Sequence, residues 1–256
     1  MDRTIKRRPF QGITNIIRFN WHYYVIAFAA IITIFILKNF LTATINLAAT
    51  ILLFLVIASI IISLFVSWFI YDYSDLYTFN WLEKLNISTE GCMVNINAGF
   101  DESSEILKDR FPKSELIVFD FYDPKKHTEV SIERARKAYP PYQGTKIIST
   151  NAFPLEQNSV DTIFLILAAH EIRNDDERIF FLKQLSNSLK DDGKIVVVEH
   201  QRDIFNFIAY NFGFFHFFPT KTWNKTFASA GLTETSIFKI TSFIKGFVLS
   251  KNGIAS

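Results

Sequence analysis

Met93-Val94-Asn95-Ile96-Asn97-Ala98-Gly99-Phe100-Asp101-Glu102 is the stretch on which the fold of this chain turns. Met93–Asn97 reads as a strand, and the run then breaks at Gly99, where the missing side chain permits close backbone approach. Asn97 beside it tolerates left-handed turn conformations better than most residues. A helical pattern comes next over Glu102–Arg110. Working outward, Leu116–Asp120 is a strand, and Lys125–Ala138 is a charged helix ended by Tyr139-Pro140-Pro141. Lys146–Ser149 is a short strand, and Val160–Leu167 is a nearly continuous apolar run of the kind buried on both faces of a parallel sheet. Asp175–Lys190 reads as a helix stopped by Asp191-Asp192-Gly193, with Lys194–Glu199 as the next strand. This alternation predicts an α/β fold with a doubly wound, mostly parallel sheet. Glu234–Ile240 and Phe243–Leu249, tightly linked, predict a terminal hairpin and hence an antiparallel C-terminal strand.

Ahead of this domain the composition changes. The chain has 256 residues, 49% of them hydrophobic, including 28 Phe, and a mean hydropathy of +0.18. Such a chain is neither disordered nor collagen-like. Its net charge of +2 argues against nucleic acid as a partner. The single Cys92 cannot form an internal disulfide, which suits a reducing compartment. The excess hydrophobicity sits mainly in two runs free of charged residues, Phe19 to Leu37 and Asn39 to Tyr71. Each is long enough to cross a bilayer as a helix, and Trp21, Tyr23, Tyr24, Trp68, Tyr71 and Tyr73 flank them as interfacial aromatics. Two transmembrane helices over 19–71 are therefore expected. Residues 1–18 form a basic N-terminus, 72–90 an amphipathic connector with Leu76, Trp81, Leu82 and Leu85 near helical spacing, and 91–256 the α/β domain. Arg3, Lys6, Arg7, Arg8 and Arg18 stand against Asp2 alone, which puts the N-terminus and, after two spans, the domain in the cytoplasm. Anionic lipid in the bilayer is a natural partner for that cluster. A secretory leader would need a shorter apolar run and a small-residue cleavage site. Arg7-Arg8-Pro9-Phe10 only faintly suggests a twin-arginine signal.

In open α/β sheets a ligand lies beyond the carboxyl ends of the strands. There this chain places Asn95, Asn97, Ala98, Gly99 and Asp101; then Asp120, about 20 residues past the glycine, where a carboxylate suits a ribose diol. Asn151-Ala152 stands after the third strand, Ala168-Ala169-His170-Glu171 after the fourth, and Glu199-His200 after the fifth. The order resembles that of the class I S-adenosylmethionine-dependent methyltransferases, which have a Rossmann-like domain. The resemblance runs from about Gly91 to Leu249. Met93–Asp101 stands at the family's glycine-rich first motif, Leu116–Asp120 at its acidic strand end, and Leu189-Lys190-Asp191-Asp192-Gly193-Lys194 at its Leu-Lys-Pro-Gly-Gly turn. The first motif departs from the family pattern, with Asn95 in place of the acidic residue and one glycine in place of three.

The resemblance implies S-adenosyl-L-methionine as cofactor. Asn95, Asn97, Ala98 and Gly99 would line its methionine part, Asp120 would hold the ribose, and Phe121 would flank the adenine. Asn151 and Ala152 would meet the adenine edge, and Ala169 and His170 would stand beside the sulfur. His170, with Glu171 or His200 nearby, is the candidate base for deprotonating an acceptor, since imidazole titrates near neutral pH; the alternative is that it only shapes the pocket. No metal site is expected, because no two His share ligand spacing on one helix. Residues 205–218 contain Phe205, Phe207, Phe212, Phe214, Phe215, Phe217 and Phe218. They form either core or a membrane-facing mouth, with His216 a secondary base. The expected activity is methyl transfer, by a membrane-anchored enzyme, to a lipid-like or other hydrophobic acceptor. The alternatives are a degenerate cofactor-binding membrane scaffold and, against the absence of G-x-G-x-x-G, a nicotinamide-dependent oxidoreductase.

Overall fold

The computed structural model describes residues 7–127 and 129–252. Asp2, Arg3 and Lys6, part of the basic N-terminus, lie outside them. The α/β domain is built on seven strands: β1 (Gly91–Asn97), β2 (Ser114–Asp120), β3 (Lys146–Ile147), β4 (Val160–Ile166), β5 (Leu189–His200), β6 (Leu232–Lys239) and β7 (Ile244–Lys251). They are ordered β3-β2-β1-β4-β5-β7-β6, with β1 to β5 parallel and β7 antiparallel to both β5 and β6. Alternation along the central strands divides the core between the two faces. Ile163, Leu165, Ile195 and Val197 pack on one side with Phe181 and Leu185 of α6 (Asp175–Ser188) and Trp223 and Phe227 of α8 (Thr220–Ser229). Phe164, Val196 and Val198 pack on the other.

That second face is covered from an unexpected direction. Helices α1 (Gln11–Phe19), α2 (Trp21–Leu37) and α3 (Ala43–Trp68) precede the sheet, and α3 runs on into a π-helical turn, Phe69–Tyr73. Val66 and Ile70 from this end, with Leu76, Phe79, Trp81 and Leu82, form one cluster with Met93, Leu107 and Phe111. Residues 72–90 are thus a packed layer rather than an amphipathic helical connector. Leu76, Phe79, Trp81 and Leu82 are buried and Leu85 and Ile87 partly so, but beyond the π turn only Asn80–Lys84 coil, as a short 3-10 segment. Two helical stretches, Trp21–Phe40 and Ala43–Tyr73, are long and apolar enough to cross a membrane, and their apolar windows are almost wholly unburied.

Helix α1 is not signalled by the composition of the basic N-terminus. Its first turn leaves N–H groups free, as every helix does, and Asp72 of the π turn supplies the cap: Gly12 N and Ile13 N donate to its two carboxylate oxygens at 2.7 and 2.8 Å. Glycine is required at position 12, since a Cβ there would lie 2.4 Å from that of Tyr71.

Three further boundaries differ from expectation. The charged helix begins at Val130, not Lys125, as α5 (Val130–Ala138), because Lys126 N and His127 N bond back to Asp123 O in a turn. Leu167 leaves β4 with a left-handed φ of 51°. The expected stop at Asp191–Gly193 is instead an irregular start to β5, whose register on β4 shifts between Val160–Leu189 and Thr162–Lys194.

Candidate active site

A cavity with about 240 Å³ of free space opens at the carboxyl ends of β1 and β4. Ala98, Ile166, Leu167, His170, Glu171 and His200 come from the sheet, Glu129, Ile132 and Ala135 from α5 and its approach, and Tyr71 from the π turn. Its roof is α1, through Gly12, Asn15, Ile16 and Phe19. The roof is fastened just ahead of α1 and at its middle. Arg7 pairs with Glu102 at 2.6 Å and lies 3.7 Å over the Tyr77 ring, while Tyr139 donates to Asn15 Oδ1 at 2.8 Å. Asn15 Nδ2, at the cavity wall, is buried without a partner among the described residues.

Four of the site residues read from the sequence, Ala98, His170, Glu171 and His200, therefore line one cavity, and His216 joins them. Around His170 the charges are dense. Its Nδ1 is 2.6 Å from Glu199 Oε2 and its Nε2 is 3.3 Å from Glu171 Oε1. The same Glu171 oxygen is 3.3 Å from His216 Nε2, and His216 Nδ1 is 3.0 Å from Glu129. Burial alone would push the His170 imidazole down, but the Glu199 carboxylate and the bond to Glu171 outweigh it and hold it up to about 10. Burial would raise Glu171, yet its bonds to His170 and His216 keep it well below the usual carboxylate range. His216 is raised: burial is again outweighed by its bonds to Glu129 and Glu171. The proposed role of His170 as base is therefore corrected, since an imidazole holding protons on both nitrogens toward carboxylates has no lone pair to offer.

His200 has the opposite environment. Burial pushes it down to about 4, against the opposing bond to Asn206. The amide of Asn206 donates to Asp203 and to the Phe243 carbonyl at 3.1 Å each, so its Oδ1 is turned to His200 Nδ1 at 2.9 Å. That nitrogen must carry the proton, which leaves Nε2 as the acceptor for the Tyr71 hydroxyl at 2.9 Å. Phe217 stacks on the ring at 4.6 Å. A neutral imidazole, oriented and next to a cavity-lining phenol, is suited to take a proton.

The cofactor residues do not share one place. Asn97, Gly99 and Asp120 border a recess of about 50 Å³ with Asp101 and Arg136. Asn97 makes the turn its position implies, accepting from Gly99 N at 3.0 Å and donating to Phe119 O at 3.2 Å, and Gly99 takes a φ of +100°. Asn95, fully buried, donates to Ser103 and Ser104 hydroxyls at 2.8 Å each and more weakly to Asp101 at 3.4 Å. An amide at 95 accommodates the Asp101 carboxylate, which a second acid would repel. Asp101 Oδ2 and Asn95 Oδ1 are both buried acceptors without a partner among the described residues. A methionine ammonium group is a donor of the kind they lack, so this end fits the implied cofactor. Asp120 does not stand free for a ribose. Its Oδ1 accepts from Tyr122 N at 2.8 Å and its Oδ2 from Arg136, whose guanidinium also stacks 4.5 Å from the Tyr122 ring. Arg136 must move before a diol reaches this carboxylate.

The remaining assignments are revised. Phe121 is core, edge-on to His127 and Phe181, and Ala169 is buried beneath the site; neither lines the cavity or the recess. Asn151 and Ala152 lie in an exposed turn that Gln184 pins to α6 through Thr150 O and Phe153 N. Tyr71, Glu129, Arg136 and Asn206 were missed: none stands after a strand, and no local motif marks them.

No family model and no curated protein matches this chain. Solved structures match by shape. A SAM-dependent methyltransferase from Aquifex aeolicus, 15% identical, aligns over 68% of this chain and 91% of its own with a TM-score of 0.51. One from Methanosarcina mazei, 12% identical, aligns over 67% and 95% with a TM-score of 0.49. With its strand order, the first of these likenesses gives the domain the class I S-adenosylmethionine-dependent methyltransferase fold.

Proposed function

We propose that this chain is a membrane-anchored methyltransferase that uses S-adenosyl-L-methionine and methylates a hydrophobic acceptor held in the cavity beneath α1. The observation that carries this reading is the cavity itself. It lies at the carboxyl ends of β1 and β4, with buried unpartnered acceptors on Asn95 and Asp101 nearby and an imidazole base, His200, in its wall. The chemistry such a cofactor supplies is an electrophilic methyl group. Asp101 and Asn95 would hold its ammonium group and Asp120, released by Arg136, its ribose. His200 Nε2, directly or through the Tyr71 oxygen, would take the proton that an acceptor hydroxyl or amine must lose. Rate beyond that would come from holding acceptor and methyl group in line.

A second cavity supports the hydrophobic acceptor. It runs between α2, α3 and α7 (Ile204–Tyr210), and it shares Ile16 and Asn20 with the first. The Phe-rich segment lies beside it. Phe217 and Phe218 turn inward, whereas Phe205, Phe207, Phe212 and Phe215 are exposed on and just after α7, the helix that packs against α3, as a membrane-facing mouth would need. Docking of residues 7–20 on the domain suits a hairpin whose two ends lie on one side, which the basic residues assign to the cytoplasm.

The non-catalytic scaffold reading draws on one observation, the engagement of Asp120 by Arg136. One experiment separates the two. Full-length protein in detergent is titrated calorimetrically with S-adenosylmethionine, then incubated with a bilayer lipid extract and methyl-labelled cofactor. Binding that weakens about tenfold or more in Asp101→Asn, with label entering an extractable lipid, supports methyl transfer. Binding without transfer supports the scaffold, and no binding refutes both.

A further inference from the structure

The cluster at the cavity floor has a geometry that neither methyl transfer nor the fold requires. We infer that His170, Glu171 and His216 form a binding site for one divalent first-row transition-metal cation. One donor atom from each lies within 4.8 Å of the others, and Glu171 Oε1 is 3.3 Å from Nε2 of each histidine. Ligand atoms that share a cation at bonds of about 2.1 Å stand roughly 3 to 3.5 Å apart, so the two spacings from Glu171 to the histidines match a shared ion.

The surroundings repeat the arrangement of metal sites one layer out. Ligating histidines characteristically present one nitrogen to the metal while a carboxylate or carbonyl fixes the other. Here both histidines are held so: His170 Nδ1 by Glu199 at 2.6 Å, His216 Nδ1 by Glu129 at 3.0 Å. Glu199 is fully buried and has no other ionic partner among the described residues. Arg173 ties the two ligand-bearing segments together by donating to the backbone carbonyls of His170 and His216.

Charge points the same way. Two of the three carboxylates around the histidines, Glu171 and Glu199, are buried and need cationic partners. A dication that displaces the Nε2 protons of His170 and His216 supplies the same two positive charges and frees both nitrogens to ligate it. Two imidazole nitrogens and one carboxylate oxygen select zinc, iron, manganese, cobalt or nickel over calcium and magnesium, which take oxygen sets. All three ligands line the cavity, so the remaining coordination positions face whatever binds there. The sequence hides the site because its histidines stand far apart in the chain and meet only when the segment after α7 folds over β4.

The inference stands apart from the methyl-transfer reading and is tested without turnover. Tag-free full-length protein in detergent, stripped with a chelator, is titrated with Mn²⁺ by electron paramagnetic resonance and with Zn²⁺ by calorimetry. One equivalent of either metal should bind, His216→Ala should abolish binding, and Glu129→Gln, which leaves all three ligands in place, should weaken it about 10- to 100-fold. His216 and Glu129 are both partly exposed, and far-UV circular dichroism checks that each variant is folded. Native protein that binds neither metal at millimolar concentration, or a folded His216→Ala protein that binds with undiminished affinity, overturns the inference.

Discussion

Replacing Arg136 with alanine should tighten the binding of S-adenosylmethionine, although it removes a cation from the cofactor recess. The guanidinium is bonded to Asp120, whose side chain is 5% exposed, while the arginine itself is 32% exposed. A hydrogen bond to a charged group contributes about 1.5–3 kcal/mol net, and solvent around the arginine brings this pair toward the lower end. Any ribose that reaches Asp120 must first displace Arg136 and so meets an opposing term of roughly 1–2 kcal/mol. Without the arginine that opposition disappears, and since 1.4 kcal/mol is tenfold in affinity, the dissociation constant should fall about 5- to 30-fold. The ligand-free protein should meanwhile lose about 1–3 kcal/mol of stability, because the buried Asp120 carboxylate is left without its partner. Calorimetric titration of full-length Arg136→Ala in detergent measures the first effect, and thermal unfolding with and without cofactor measures the second. The variant should melt lower when free and gain more on saturation. In the Asp120→Ala background the same substitution should leave affinity unchanged, which closes a double-mutant cycle. Weaker binding by Arg136→Ala would refute the reasoning, for it would make the arginine a ligand of the cofactor.

Geometry elsewhere in the molecule leads to three further outcomes. His200 has a folded-state value of about 4, below its ordinary 6.5, so its contribution to stability is complete above pH 6.5 and is lost as pH falls through 4. At 1.36 kcal/mol per unit, wild type should lose roughly 3 kcal/mol relative to His200→Gln between pH 7 and pH 4 in denaturant unfolding, and parallel curves would contradict this. The same depressed value puts the acid limb of kcat near pH 4 rather than 6.5, and Tyr71→Phe should lower kcat more than it raises KM. Gly12→Ala drives a Cβ to 2.4 Å from that of Tyr71, so α1 should lift from the cavity at a cost of about 1–3 kcal/mol, seen as faster proteolysis near residue 10 and a lower melting temperature.

The sheet was legible because its signals are local. Met93–Asn97, Leu116–Asp120, Val160–Leu167 and the terminal pair each carry their own apolar run, and each appears as a strand within a few residues. Where the reading failed, the cause was tertiary. Residues 72–90 show helical spacing, but the sheet supplies the apolar surface that such a helix would seek, and irregular chain buries the same side chains. Leu167 reads as strand by composition, yet its left-handed φ turns the chain toward His170. The strand-end residues were found by topology alone; which of them would act was decided by neighbours that topology does not reveal. His170 and His200 look alike in sequence. Glu171 and Glu199 make one a cation, whereas Tyr71 and Asn206 make the other a neutral acceptor.

Tyr71 and Asp72 bear on what the apolar hairpin is for. An anchor that only restrained diffusion would connect to the domain by a flexible segment and leave the active-site walls to the sheet. Here the π turn at the end of α3 supplies three things at once: Ile70 to the core, Tyr71 to the base, and the Asp72 cap that holds the roof helix in place. A π turn adds a residue to the helical repeat and rotates the chain beyond it, so consecutive side chains serve core, base and roof. The roof in turn leads without a linker into α2. On this architecture the two apolar helices hold parts of the site, and a domain cut at residue 91 would lack the roof, the phenol and the Val66–Leu82 share of one core face.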